Sequence, residues 1–232
     1  MITKHDSIRI SITDDEIKAV MEKARTQLFI SKRDNLRNRH ANIQYDCILR
    51  GYIGEFAIKK WMNEQGIFFE KTNHRTEDEN IDIDFLYKGK NIELKTSLIP
   101  DVDVTMENAI LKRDIKLIKR EDKITDLRGD IHLQVFFDQR RLAKDEWLAG
   151  RIIDIEKAGI DELFDKMLAR CYRNSTYFIA WIDKTTLIKN INSLPELEQT
   201  WSFKDSKRKF WNCKISTSKK PQHLPAFLKN IL

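Results

Sequence analysis

The chain has 232 residues, 41% hydrophobic and 34% charged, with a formal net charge of +6. That composition excludes a disordered chain and suffices for one full hydrophobic core, in one or at most two domains. No apolar run approaches the roughly 18 residues of a membrane span, and residues 1–10 lack a signal-peptide core. The three cysteines (Cys47, Cys171, Cys213) are too scattered for a disulfide framework or a zinc site. The expected setting is a reducing compartment, the cytoplasm, with no membrane partner.

Thr13-Asp14-Asp15-Glu16 reads as a capping box, and Ile17, Val20, Met21, Ala24 and Leu28 recur at helical spacing, so a first helix should end near Ile30. Residues 31–40 are polar and basic, with Lys32, Arg33, Arg37 and Arg39 as candidate phosphate contacts; a plain solvated connection is the competing reading. A second helix is expected from about residue 42 to 65, stopped by Gly66, with Ile48, Tyr52, Ala57, Ile58 and Trp61 supplying its apolar face. Gly51 and Gly54 on it permit close packing against a sheet. Residues 66–70 read as a strand and 74–80 as a polar loop.

Residues 81–97 follow as two short alternating strands around the turn Lys88-Gly89-Lys90-Asn91. Side chains alternate across a strand, so Glu93 and Lys95 share one face and Ile92 and Leu94 the other. Asp82 and Asp84 also share a face. Folding the hairpin brings Asp84 opposite Glu93 and Lys95. Two carboxylates held close repel, so one pKa should rise unless a cation sits between them. Mg²⁺ suits such a pair, with water and phosphate oxygens completing its shell. Lys95 could hold the attacking water or neutralise charge on a phosphate. A hairpin with a merely solvated charged face is the alternative. Glu-x-Lys occurs three times, at 16–18, 93–95 and 121–123, but only the middle copy lies on a strand behind an acidic strand.

Further on, residues 105–119 look helical, with Lys112, Arg113, Lys116 and Lys119 off the apolar face. Residues 131–137 form a buried central strand by composition, on which His132 and Gln134 share a face. Residues 147–153 read as a strand, 161–171 as an amphipathic helix and 177–182 as a further strand. Helices flanking a mixed sheet give an α/β architecture. Residues 201–232 hold eight Lys/Arg against one acid, Asp205, a net +7 that leaves the rest of the chain at about −1. Trp201, Phe203, Phe210 and Trp211 are interleaved with them. This pattern suits a phosphate backbone with stacking platforms, with Lys207, Arg208 and Lys209 as contacts; a packed C-terminal strand is the alternative.

Asp84, nine positions before Glu93-Leu94-Lys95-Thr96, resembles the signature of the PD-(D/E)xK nuclease superfamily, the restriction-endonuclease-like fold. The resemblance covers about residues 44–137. The literal Pro100-Asp101 pair follows the Glu-x-Lys and is not that signature; Ile83 precedes Asp84, and Asp82 is the rival for the aspartate. The resemblance implies a restriction-endonuclease-like core with a central mixed sheet flanked by helices. It implies metal ligation by Asp84 and Glu93, a catalytic Lys95, and Glu55 assisting from the helix. The implied cofactor is Mg²⁺, replaceable by Mn²⁺, and the implied substrate is double-stranded DNA. A type II restriction enzyme or related anti-phage nuclease is expected, as a homodimer if both strands are cut. A repair or junction nuclease and a non-catalytic nucleic-acid-binding module are the alternatives. One nuclease domain is expected over 1–232: a core of about 42–182, an N-terminal helical extension over 1–41 and a basic C-terminal segment over 201–232.

Overall fold

The computed structural model describes residues 1–30, 39–70, 83–203 and 208–231. Asp82, Lys32, Arg33, Arg37, Lys207 and the 74–80 loop lie outside them. The architecture is α/β: a five-stranded mixed sheet with helices on it, plus a small three-stranded sheet. Helices α1 (Asp14–Ile30) and α2 (Ala41–Glu64) match their sequence signals. The Thr13–Glu16 capping box forms at the start of α1, the Thr13 amide donating to Glu16 Oε2 at 2.8 Å. Gly66, with φ +71°, ends the α2 region.

The large sheet runs β1 (Ile8–Ile10), β6 (Thr176–Asp183), β5 (Ile131–Arg140), β3 (Lys90–Ile99), β2 (Phe85–Tyr87). Only the β3–β5 pair is parallel; the other neighbours are antiparallel. Residues 131–137 of β5 are all buried, as their composition demands. The β2–β3 hairpin turns on two residues, Lys88 and Gly89, both at positive φ, which is the pairing a type I′ turn needs.

The two sheet faces have separate cores. Ile92, Leu94, Leu98, Leu133 and Val135 pack with α1 and α2 residues such as Met21, Leu49 and Ile53. Ile99, Phe136 and Ile182 on the other face pack with Ile110, Ile115, Leu117, Trp211 and Ile215. Gly54 sets the first approach: a Cβ there would fall 2.4 Å from Thr96 Cγ2 and 3.3 Å from Leu94 Cδ2.

Several expectations are corrected. Helix α3 covers only Met106–Lys112. Beyond it, Ile115 and Leu117 are buried with Lys116 between them, a period of two, and Leu117–Ile118 become strand β4. Residues 147–149 end helix α4 (Arg141–Ala149) rather than start a strand, and Ile152 beyond it is 97% exposed. Helix α5 (Ile160–Lys166) stops early because Leu168 is left-handed, and a 3₁₀ turn over Ala169–Tyr172 follows. In the 66–70 segment only Glu70 pairs, as an isolated bridge to Leu86. In the basic C-terminal segment the packed-strand alternative is the one found: β7 (Thr200–Ser202) and β8 (Lys209–Trp211) join β4 in the small sheet. Helices α6 (Lys184–Asn192) and α7 (Leu224–Lys229) complete the fold.

Gly54→Ala should lower stability by about 1–3 kcal/mol in urea denaturation, because the stiff Thr96 side chain cannot yield. Adding Thr96→Ser, which removes the clashing methyl, should recover much of that loss. Gly51→Ala, where no atom lies within 4 Å of the new Cβ, should instead raise stability by roughly 0.5–1 kcal/mol.

Candidate active site

The hairpin fixes three of the charged side chains singled out in the sequence. Glu93 and Lys95 project from β3 on the face opposite Leu94 and Thr96, away from α2. Their side chains are 10% and 18% exposed, and the Lys95 ammonium contacts Glu93 Oε1 directly. Asp84 lies just before β2. Its amide donates to the Ile92 carbonyl at 3.0 Å, and its Oδ2 accepts the Leu94 N–H at 2.6 Å. The carboxylate therefore replaces a ladder bond just ahead of the first residue of β2, at Leu94, one residue from both Glu93 and Lys95.

The parallel register places His132 beside Glu93 and Gln134 beside Lys95. His132 is fully buried, and its Nδ1 lies 2.8 Å from Glu93 Oε2. Gln134 donates to the Lys95 carbonyl at 3.1 Å. Burial pushes the Glu93 pKa up, but the Lys95 charge and the His132 hydrogen bond outweigh it and hold the group down at about 2. The expected raised carboxylate pKa is therefore not found at Glu93: the cation between the charges is the protein's own lysine. An ionised Glu93 can only accept, so His132 Nδ1 carries the proton. The ring is held from behind by Gly129, where a Cβ would lie 2.5 Å from His132 Cε1.

Glu55 comes from the other side of the sheet. With Asp84 it lines a cavity of about 850 Å³ between α1, α2 and the start of β2, together with Tyr52, Lys59, Lys60 and Phe85. The structure thus brings Asp84 to Glu55 at this cavity and Glu93 to Lys95 on the opposite face of β3. Asp84 stands at the strand edge between them. Among the described residues no group of three or more His, Cys, Asp or Glu is arranged to hold a metal ion. Asp84 and Glu93 still have the donor chemistry for Mg²⁺: hard carboxylate oxygens, with Glu93 ionised at neutral pH.

The proposed DNA contacts are spread out. Arg39 precedes α2 and its Nη1 lies 3.3 Å from Cys47 Sγ. Lys209 opens β8 of the small sheet, and Arg208 immediately precedes it. From the sequence, His132 and Gln134 share a strand face, either as polar groups reaching the site or, for His132, as a satisfied core histidine, the reading favoured there. Its role beside Glu93 depends on the β3–β5 register, which no local pattern encodes. The chain matches no family model, no curated protein and no solved structure. No helix among the described residues is long and apolar enough to cross a membrane.

Because the folded pKa of Glu93 is depressed, its stabilising contribution is full above pH about 4.5 and is lost as pH falls through about 2. That contribution is on the order of 3 kcal/mol. The stability difference between wild type and Glu93→Gln, from urea melts, should therefore shrink across that window. A difference independent of pH would mean that Lys95 and His132 do not hold the carboxylate ionised.

Proposed function

We propose that the protein is a metal-dependent endonuclease that hydrolyses phosphodiester bonds in DNA. The observation that carries this reading is a buried, ionised glutamate paired to the lysine two residues on, with an aspartate docked on the intervening backbone N–H. A strand interior holds such a charge set at a cost in desolvation, which a role in chemistry accounts for.

In this reading Asp84 and Glu93 hold the metal, Mg²⁺ or Mn²⁺. When bound, the metal supplies Lewis-acid stabilisation of charge on the phosphate. The Lys95 ammonium orients the attacking water or offsets charge building on the phosphoryl oxygens. The water oxygen bonds to phosphorus as the P–O bond to the leaving oxygen breaks, and the proton the water gives up is balanced by the one the leaving oxygen takes up, so the products are a phosphate monoester and a free hydroxyl. His132 keeps the Glu93 carboxylate ionised and aimed, and Gln134 fixes the backbone at Lys95. Glu55, sharing the Asp84 cavity, assists from α2. Double-stranded DNA is the substrate, cut as a homodimer, in the manner of a type II restriction enzyme or related anti-phage nuclease of restriction-endonuclease-like fold in the cytoplasm. A repair or junction nuclease would use the same residues.

One observation favours a different class. Both Glu93 oxygens are already engaged, by Lys95 and His132. That closed arrangement suits a nucleic-acid-binding module without catalysis.

Incubation with plasmid and unmethylated phage DNA separates the two. A nuclease should cut with Mg²⁺ and not with EDTA, giving discrete bands if sequence-specific. Lys95→Met should slow cleavage by about 10²–10³-fold, and Glu93→Gln and Asp84→Asn should abolish it while DNA is still bound. Exposed Glu156→Gln is the control and should cut normally. Intact DNA in every arm, with retained binding, would support the binding module.

A further inference from the structure

The small sheet carries aromatic and cationic groups that the proposed chemistry does not use. Of Trp201, Phe203, Phe210 and Trp211, the last two are core residues, 6% and 3% exposed. Phe203 is different: 49% exposed, it stands just past the end of β7. Its ring packs edge-on against Trp201 at 5.1 Å and Phe210 at 5.6 Å, while Trp201 and Phe210 stack on each other at 4.7 Å. The Phe203 ring is therefore braced from behind by two other rings. Three aromatics in mutual contact lock its position without a partner.

Cations flank this platform. The Lys116 ammonium lies 5.7 Å from the Phe203 centroid, and Lys119 lies 4.8 Å from that of Trp211. Lys209, between Arg208 and Phe210, is exposed. Burial, and behind it the charges of nearby arginines, lower the Lys116 pKa. Two of those arginines, Arg50 and Arg113, are held by Asp46 and Asp103, so the cations placed against these rings are Lys116 and Lys119. A braced, exposed ring beside these ammonium groups matches a π-face for a base and anions on its backbone. Leu117 and Trp211 of the same small sheet pack onto the face of the large sheet that bears Glu93 and Lys95.

We propose that the Phe203 platform, with Lys116, binds an unpaired stretch of DNA by stacking one base on the Phe203 ring and placing neighbouring phosphates against Lys116. A duplex offers no free base face, so the platform discriminates single-stranded from fully paired DNA. The choice of DNA rests on the proposed function; the stacking and charge chemistry is independent of it.

Anisotropy of a fluorescent deoxythymidine oligomer and of a matched duplex, with full-length protein in EDTA, tests this. Phe203→Ala should weaken oligomer binding at least about fivefold and leave duplex binding unchanged. Phe203→Trp should bind like wild type, and Phe203→Leu, which keeps apolar bulk but loses the π-face, should bind like Phe203→Ala. Lys116→Gln should reduce the slope of log K against log[salt] for the oligomer by about 0.7. Unchanged oligomer affinity in Phe203→Ala, wild-type binding by Phe203→Leu, or equal losses for oligomer and duplex would overturn the proposal. A uridine RNA oligomer bound more tightly than the DNA would overturn the DNA assignment. Because no metal is present, a Phe203 effect in a protein that never cuts DNA sinks the nuclease reading alone.

Discussion

The parallel pairing of β3 with β5 is the constraint on which the rest depends. Parallel strands cannot be joined by a tight turn, so the chain must leave the end of β3 and cross over before re-entering at Ile131. Residues 100–130 make that crossing, carrying α3 and β4, and they cover the sheet face that bears Glu93 and Lys95. The opposite face is already covered by α2, pressed close at Gly54. Both faces of β3 are thereby enclosed. A glutamate and a lysine on such a strand must satisfy each other or a neighbour, and the same parallel register delivers His132 to do so.

A second buried charge cluster shows that such groupings need not be sites. Asp46 on α2 is fully buried. It accepts from Tyr172 Oη at 2.6 Å and from Arg50 Nε at 2.9 Å, with Lys144 Nζ at 3.6 Å. Lys144 also sits 4.4 Å from the Tyr172 ring centroid. These residues come from α2, α4 and the 3₁₀ turn at 169–172, so the network pins three elements together. Removing one member would strand a charge in the interior, a loss of about 3–5 kcal/mol. The Glu93 set differs in place rather than in chemistry: it lies on a sheet strand, with Asp84 docked on the Leu94 N–H between Glu93 and Lys95.

How much was legible in the sequence follows from the range of the interactions. The capping box at Thr13, the stop at Gly66 and the Lys88-Gly89 turn are set within a few residues, and they are found where the pattern puts them. The alternation in 90–97 assigns Glu93 and Lys95 to one face, and the long apolar run of 131–137 marks the central strand. The failures lie where distant partners decide. Met106 to Lys119 contains apolar residues at helical spacing, yet from Ile115 onward the chain pairs with residues almost a hundred positions later, and strand periodicity wins. Trp147 and Leu148 have strand-like neighbours, but Leu148 faces inward one turn after Lys144, whose ammonium is held by Asp46. The Glu55–Asp84 cavity depended on how α2 crosses the sheet, which Gly54 permits but does not announce.

The C-terminal charge is the plainest case of composition leaving two readings open. Counted along the sequence, residues 201–232 offer either a basic stretch for a phosphate backbone or a packed C-terminal strand. In the fold, Lys214 pairs with Asp114 at 2.9 Å, Lys219 with Asp183 at 2.5 Å and Lys220 with Asp6 at 2.8 Å. Their partners come from the crossover, the end of β6 and the N-terminus, so these lysines dock the segment. Trp211, Cys213, Ile215, Leu224 and Leu228 are buried by that docking, which makes the segment part of the core rather than an appendage. Lysines held by acids this way release few counterions to a polyanion. Among the described residues of the segment, Arg208, Lys209 and Lys229 stay exposed, and the cation set against the Phe203 ring, Lys116, comes from the crossover instead. The fold, not the tail's composition, decides which of the segment's cations are tied to acids and which face outward.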